Sequence, residues 1–284
     1  MRIGYFTAGS VGAGHLVRGV AIHRALARAG IDAEYRMFGP PLPFPVVARF
    51  DYEIVALEEA ELRNPLRAPT SALATALASF APQLLIVDLF WAPLRHVLPL
   101  PGCEAWLLVR SCPRAWFGGP PDTRWDPGRF ERVVAIEPVS QPAVREQVEP
   151  VVVCNPDECR PRGSLRARLG VPDGSPLVVV THAGAAGEID VLASGAGTAV
   201  VRCDLLDDAA LFPLAEWLGD ADFVIGGGGY NTFWEARWLG WTDRSAFTPF
   251  PRGIDDQRWR ISTCGAYRMR ANGADTLAGW VRRG

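Results

Sequence analysis

The chain has 284 residues, with 49% hydrophobic and 21% charged side chains, the composition of a folded protein with a sizeable core in one large or two medium domains. Its formal net charge of −2 argues against a nucleic-acid-binding surface or a polybasic membrane anchor. All 29 basic side chains are arginines, which excludes a P-loop lysine, a Schiff-base lysine and a lysine nucleophile. An anionic ligand must then be held by arginine forks, backbone N–H groups or helix N-termini.

Short apolar runs alternate with helix-patterned segments. Residues 2–7 read as a strand. From His15 to Ala29, apolar Val17, Ala21, Ala25 and Ala29 recur at four-residue spacing beside Ile22 and Leu26, a helix stopped by Gly30. Residues 33–37 read as a second strand, 40–45 as a proline-rich loop and 70–80 as a helix. The stretch "QLLIVDLFW" (83–91) is a near-continuous apolar strand containing Asp88, of the kind covered on both faces in a parallel sheet. Residues 104–110 and 132–138 continue the series. Near residue 150 the texture changes, and "VEPVVVCNPDECRPRGSLRARLGVPDGSP" runs from a short strand into a stretch rich in proline, arginine and glycine that reads as a linker. The alternation restarts over 176–188 and 198–204. Its clearest unit is "ADFVIGGGGYNTFWEARWLG" (221–240), a strand, four glycines and a helix. This pattern predicts two doubly wound, Rossmann-like α/β domains, 1–155 and 156–284, facing a cleft.

The six cysteines (103, 112, 154, 159, 203 and 264) form no CxxC pair, so buried thiols in a reducing cytoplasm are expected rather than a disulfide framework or a metal site. No run approaches the ~20 apolar residues of a membrane span, and glycines interrupt the apolar start of the chain. The expected location is cytoplasmic.

Three glycine-rich turns carry the candidate chemistry. In "FTAGSVGAGHLVRG" (6–19), Gly12 and Gly14 lack the third glycine of a dinucleotide fingerprint, whose place is held by Val17. Glu34 stands where a ribose-binding acid would keep a dehydrogenase reading open. A turn that only lets helix and strand pack is a further alternative. His15 instead points to a general base, because a helix N-terminus disfavours imidazolium and keeps the ring neutral near pH 7. In the second turn, Gly226 to Gly229 let a ligand approach a helix N-terminus. Asn231 and Thr232 could cap or hydrogen-bond there, and Glu235 could accept from the two hydroxyls of a ribose or simply favour the helix start. "THAGAAGE" (181–188) is the third, with His182 and Gly184. In "TPFPRGIDDQRWR" (248–260), Asp256 and Gln257 suit sugar hydroxyls, or form an ordinary solvated turn.

Taken in order, "GAGH", "CNP" (154–156), "THAGAAG", "GGGYNTFWEA" and the late Asp-Gln resemble the GT-B glycosyltransferases, especially the group containing the bacterial enzyme that adds GlcNAc to the lipid-linked peptidoglycan precursor. The resemblance spans most of the chain. It implies a nucleotide sugar, UDP-linked, held mainly by the C-terminal domain. Glu235 would hold the ribose, Gly228 and Gly229 would lie near the diphosphate, and Gln257 would contact the sugar. His15 would deprotonate an acceptor of unknown identity, with inversion and with no metal or other cofactor. "DAD" (220–222) mimics a metal clamp but leads into an apolar strand. The family's arginine after the hinge Asn-Pro is missing, which leaves Arg160 or Arg162 as candidates for the diphosphate. The short C-terminal tail implies abbreviated helices crossing back to the first domain. A compact relative, the nucleotide-sugar hydrolase of pseudaminic acid synthesis, shares the length and the glycine–histidine turn. Hydrolysis of the donor and non-catalytic binding of it are therefore the alternatives. Trp91, Trp116 and Trp125 could flank the acceptor side or simply pack.

Overall fold

In the computed structural model, strands β1 (Arg2–Phe6), β2 (Glu34–Gly39), β3 (Tyr52–Ile54), β4 (Leu84–Asp88), β5 (Glu104–Val109), β6 (Arg132–Ala135) and β7 (Glu146–Gln147) form one sheet in the order β3-β2-β1-β4-β5-β6-β7. Strands β8 (Val178–Thr181), β9 (Val200–Cys203), β10 (Phe223–Gly227) and β11 (Ser245–Thr248) form a second, ordered β11-β10-β8-β9. Every pairing is parallel. The structure describes all residues except 11, 120–123, 140–143, 145, 186, 195–199, 204–210 and 284, and only the backbone of 200–203. The outer residues of the expected strand 198–204 thus lie outside the described residues.

The helices are α1 (Gly14–Arg28), α2 (Glu59–Leu62), α3 (Ala72–Phe80), α4 (Arg114–Phe117), α5 (Ser164–Leu169), α6 (Glu188–Ser194), α7 (Tyr230–Trp238), α8 (Gln257–Thr263) and α9 (Gly273–Val281). The near-continuous apolar strands are explained by burial on both faces. Ile3 and Tyr5 of β1 join Leu16, Val20 and Ile22 of α1 on one side, while Phe6 joins Phe38, Leu77 and Phe80 on the other. A separate core under the second sheet holds Leu165, Leu177, Val179, Leu218 and Trp241.

One expectation changes. The stretch read as a linker contains α5, because Leu165 is fully buried in the second core and Asp220 supplies the cap, accepting from the backbone N–H of Gly163 (2.6 Å) and Leu165 (2.7 Å). Asp222 likewise accepts from Leu177 N (2.7 Å) and Arg166 Nη2 (2.7 Å), so both carboxylates of "DAD" are engaged in holding α5 and β8. At the other end, the nine-residue α9 returns to the first sheet and packs on α1. Arg28 Nε bonds Asp275 Oδ1 at 2.9 Å, and Gly273 N donates to Pro150 O at 2.9 Å. A Cβ on Gly273 would lie 1.8 Å from Glu149 O, so only glycine permits this approach.

The two sheets are docked by one apolar core that runs from α1 and β1 through Val151–Cys154 to Tyr230, Phe233 and Trp234 of α7. Tyr230 enters the first half, where its hydroxyl donates to Ile136 O (2.6 Å) and accepts from Val151 N (2.8 Å).

Candidate active site

A cavity of about 410 Å³ lies between the C-terminal ends of the two sheets. The first half contributes Gly12, Gly14, His15, Arg18 and Arg110 to its wall. The second contributes Gly184, Gly229, Asn231, Thr232, Glu235, Asp255 and Gln257. The helices α1 and α7 both begin here, and neither has a side chain capping its N-terminus, whereas Ser71, Asp256 and Asn272 cap α3, α8 and α9. Uncapped N–H groups on a cavity wall are donors for a bound anion.

His15 stands in the first turn of α1 with its ring only 5% exposed, yet on the cavity wall. Its Nδ1 is 2.7 Å from Asp88 Oδ2 at the end of β4. Asp88 is fully buried, and the same oxygen accepts from Tyr5 OH (2.5 Å) and from Arg18 Nε (2.9 Å). Burial alone would raise its pKa, but the charge of Arg18, then that of His15, and the hydrogen bonds hold it well below the usual carboxylate range. An ionised oxygen at that distance requires the imidazole proton on Nδ1, because two facing lone pairs would repel. Arg18 Nη2 lies 2.9 Å from both Nδ1 and Asp88 Oδ2, beside the Nε–Asp88 bond. Nε2 is left with its lone pair. The close seat of the ring depends on Gly9, where a Cβ would come within 2.4 Å of His15 Cδ2.

The surroundings of the ring favour its neutral form. Burial first, and Arg18 against the opposing pull of Asp88, lowers its pKa to about 4, the same direction in which a helix N-terminus acts.

Glu235, on the second half, is 7% exposed, and no donor among the described residues reaches its carboxyl group. Burial pushes its pKa up to about 8 from an ordinary 4.5. A folded pKa raised in this way means that the native state holds an extra proton across that interval. Stability is fullest below about pH 4.5 and falls as pH rises through about 8. Glu235→Gln cannot ionise, so its Tm should exceed that of the wild type by a margin growing from about pH 5 to about pH 9. A margin independent of pH would mean that the carboxyl is well solvated.

The glycine turns meet directly. Gly12 has φ +76°, and a Cβ on it would lie 2.5 Å from Ala183 O of the opposite turn. Asn231 spans the same gap, with Nδ2 donating to Gly14 O (3.0 Å) and Oδ1 accepting from Arg18 Nη1 (3.4 Å). Its amide thus braces the two halves together rather than capping α7. Gln257 Oε1 accepts from Phe250 N at 2.9 Å while lining the wall. Gly184 covers His182, whose Nε2 is 2.7 Å from Glu188 Oε2.

Four sequence expectations do not reach the cavity. Asp256 caps α8 through Trp259 N (3.0 Å), and the carboxylate on the wall is the preceding Asp255. Gly228 faces α8, where a Cβ would meet Ile261 Cδ1 at 2.6 Å. Arg160 stacks on Trp217 and pairs with Glu216 (3.4 Å), and Arg162 is exposed outside the wall, so neither candidate for the diphosphate lies there. Trp91, Trp116 and Trp125 form an aromatic cluster outside the wall, which approaches the site through Phe90, 5.1 Å from the His15 ring. Sequence reading also missed partners. Asp88 was visible only as the polar end of an apolar strand, and Arg18 and Arg110 carried no local signal.

No protein-family model and no curated protein matches the chain. Solved structures do. The spinosyn rhamnosyltransferase SpnG superposes with a TM-score of 0.59 at 18% identity, covering 99% of this chain and 92% of that one. The spinosyn forosaminyltransferase SpnP gives 0.58 at 16%, covering 100% and 90%. SpnG complexed with thymidine diphosphate gives 0.53 at 16%, covering 99% of each. With two parallel, Rossmann-like halves closed around one cavity, the chain has the GT-B fold of these glycosyltransferases.

Proposed function

We propose that the protein is a glycosyltransferase that moves a sugar from a nucleoside-diphosphate donor, UDP-linked, to a hydroxyl acceptor, with inversion and without a metal. The observation that carries this reading is the opposition of two groups across one cavity. One is the His15–Asp88 pair with a free Nε2; the other is the uncapped start of α7 beside the unpartnered Glu235. Residues 156–284 would hold the donor, with its diphosphate on the α7 N–H groups at Gly229 and its ribose hydroxyls on Glu235. Gly12, Gly14, Gly184, Asn231, Thr232 and Gln257 would shape the pocket around the sugar. Residues 1–155 would present the acceptor. The acceptor oxygen bonds to the anomeric carbon as the C–O bond to the β-phosphate breaks. The diphosphate keeps the electron pair, and the acceptor proton passes to His15 Nε2.

The capture of SpnG with thymidine diphosphate supports a nucleoside diphosphate as the donor moiety. Likeness of the ordered motifs to the peptidoglycan-precursor transferase group supports the uridine form. The test is a panel of UDP- and TDP-sugars followed by product analysis with and without an acceptor library, in chelator. Transfer product of inverted configuration is expected. Free sugar released at an undiminished rate without acceptor would assign hydrolysis instead, and binding without either product would assign a sensor.

A further inference from the structure

Arg110 follows the C-terminal end of β5 and stands on the cavity wall with only 5% exposure. Its Nη1 donates to Asp255 Oδ1 at 2.5 Å, an oxygen it shares with Arg260 Nη2 at 2.6 Å. Nε is shut off from solvent and has no partner, and no acceptor among the described residues reaches Nη2. A guanidinium has five N–H donors in a rigid fork, and leaving buried charged donors unmet is costly. The other arginines on the wall are engaged. Arg18 Nε bonds Asp88 at 2.9 Å, and Arg252 grips both oxygens of Glu188. Among the described residues, Arg110 is therefore the cation on this wall with a buried, unsatisfied donor.

Its position narrows what it could hold. Arg260, its partner across Asp255, donates from Nη1 to Gly228 O at 3.0 Å, within the turn that leads into α7. On the other side, the charge of Arg110 is among those that lower the proton affinity of His15. Arg110 thus shares the cavity wall with His15 and Gly229, and is tied through Asp255 and Arg260 to the glycine turn, the region where the bond from sugar to diphosphate would sit.

We propose that Arg110 binds the β-phosphate of the nucleoside diphosphate, reaching it from the half opposite the one that holds the nucleoside. The inference rests on the donor reading of the cavity and takes the role that sequence had offered to Arg160 or Arg162. Planar bidentate contact suits a phosphate, and the cation meets the charge that the β-phosphate oxygen gains as the glycosidic bond breaks. Because the two groups come from different halves, a bound diphosphate also holds the halves together.

The test is calorimetric titration of UDP and TDP against their monophosphates, on wild type, Arg110→Lys and Arg110→Met. Lysine can still pair with Asp255 but lacks the fork. Wild type should prefer the diphosphate, and both variants should lose about tenfold or more of that preference while monophosphate affinity stays within about twofold. An unchanged preference in either folded variant overturns the proposal, and so does equal loss of mono- and diphosphate binding. Should Arg110→Met fail to fold, Arg110→Lys decides alone. Loss of affinity confined to a nucleotide uronate, with the diphosphate preference kept, also overturns it, in favour of a sugar carboxylate. A wild type that binds neither diphosphate overturns the donor reading instead.

Discussion

His15→Ala should lower turnover by about 10²–10⁴-fold while donor affinity stays near wild type, because a positioned base acts on the acceptor proton and not on the nucleotide. Asp88→Asn should cost a comparable factor. An amide facing Nδ1 removes the charge that fixes the tautomer and stabilises the imidazolium formed during transfer. The double variant should be scarcely worse than His15→Ala alone, since the two side chains act as a unit. Additive losses would show that Asp88 acts elsewhere. Asp88 also neutralises the buried Arg18, so Tm must be measured beside the rates to separate lost chemistry from lost fold. The pH profile offers an independent check. With the ring titrating near 4 rather than the ordinary 6.5, the neutral form persists well below neutrality. The acid limb of kcat/KM attributable to His15 should therefore fall near pH 4. A limb near 6.5 would mean that the ring is open to water in the working enzyme.

Glu137→Gln should destabilise the protein by about 3–5 kcal/mol, a fall of at least about 6 °C in Tm. Glu137 is fully buried just beyond β6. It accepts from Arg260 Nε (2.8 Å) and Nη2 (2.9 Å), from Trp234 Nε1 (2.8 Å) and from Ser111 N (2.8 Å). Arg260 is also fully buried and would keep Gly228 O and, as its carboxylate, an Asp255 oxygen that it already shares with Arg110. The pair joins the first half to α7 and α8 of the second, so its loss should loosen the turn at Gly228 as well. Replacing both partners at once, Glu137→Leu with Arg260→Met, should recover much of the stability, because the desolvation cost disappears together with the attraction. An unchanged Tm in Glu137→Gln would remove this network from the interface that aligns the cavity.

The local parts of the fold were legible because they depend on neighbours in sequence. The strand–glycine–helix units at 2–28 and 223–238 follow from apolar runs, glycine-bearing turns and four-residue periodicity, all within reach of one another along the chain. What the sequence did not show is where the C-terminal helix docks, because α9 is anchored by Arg28, Glu149 and Pro150, which are distant in sequence. The linker reading failed for a similar reason. Leu165 and Leu169 are among the few apolar residues between prolines and arginines, and the cap that makes α5 a helix comes from Asp220, more than fifty residues on.

The sequence alone determined the alternation of strand and helix, the glycine turns, and the presence of a histidine at one helix start and a glutamate within another helix, because backbone propensity and periodicity are local. Tertiary structure decided which groups share the cavity. It set Asp88 against His15 across 73 positions, turned Asp255 rather than Asp256 to the wall, spent Asn231 on bracing the halves, and left Arg110 with open donors. The reason is physical. Hydrogen bonding and desolvation depend on distances of a few ångströms in space, and no spacing along the chain encodes which distant side chains will meet there.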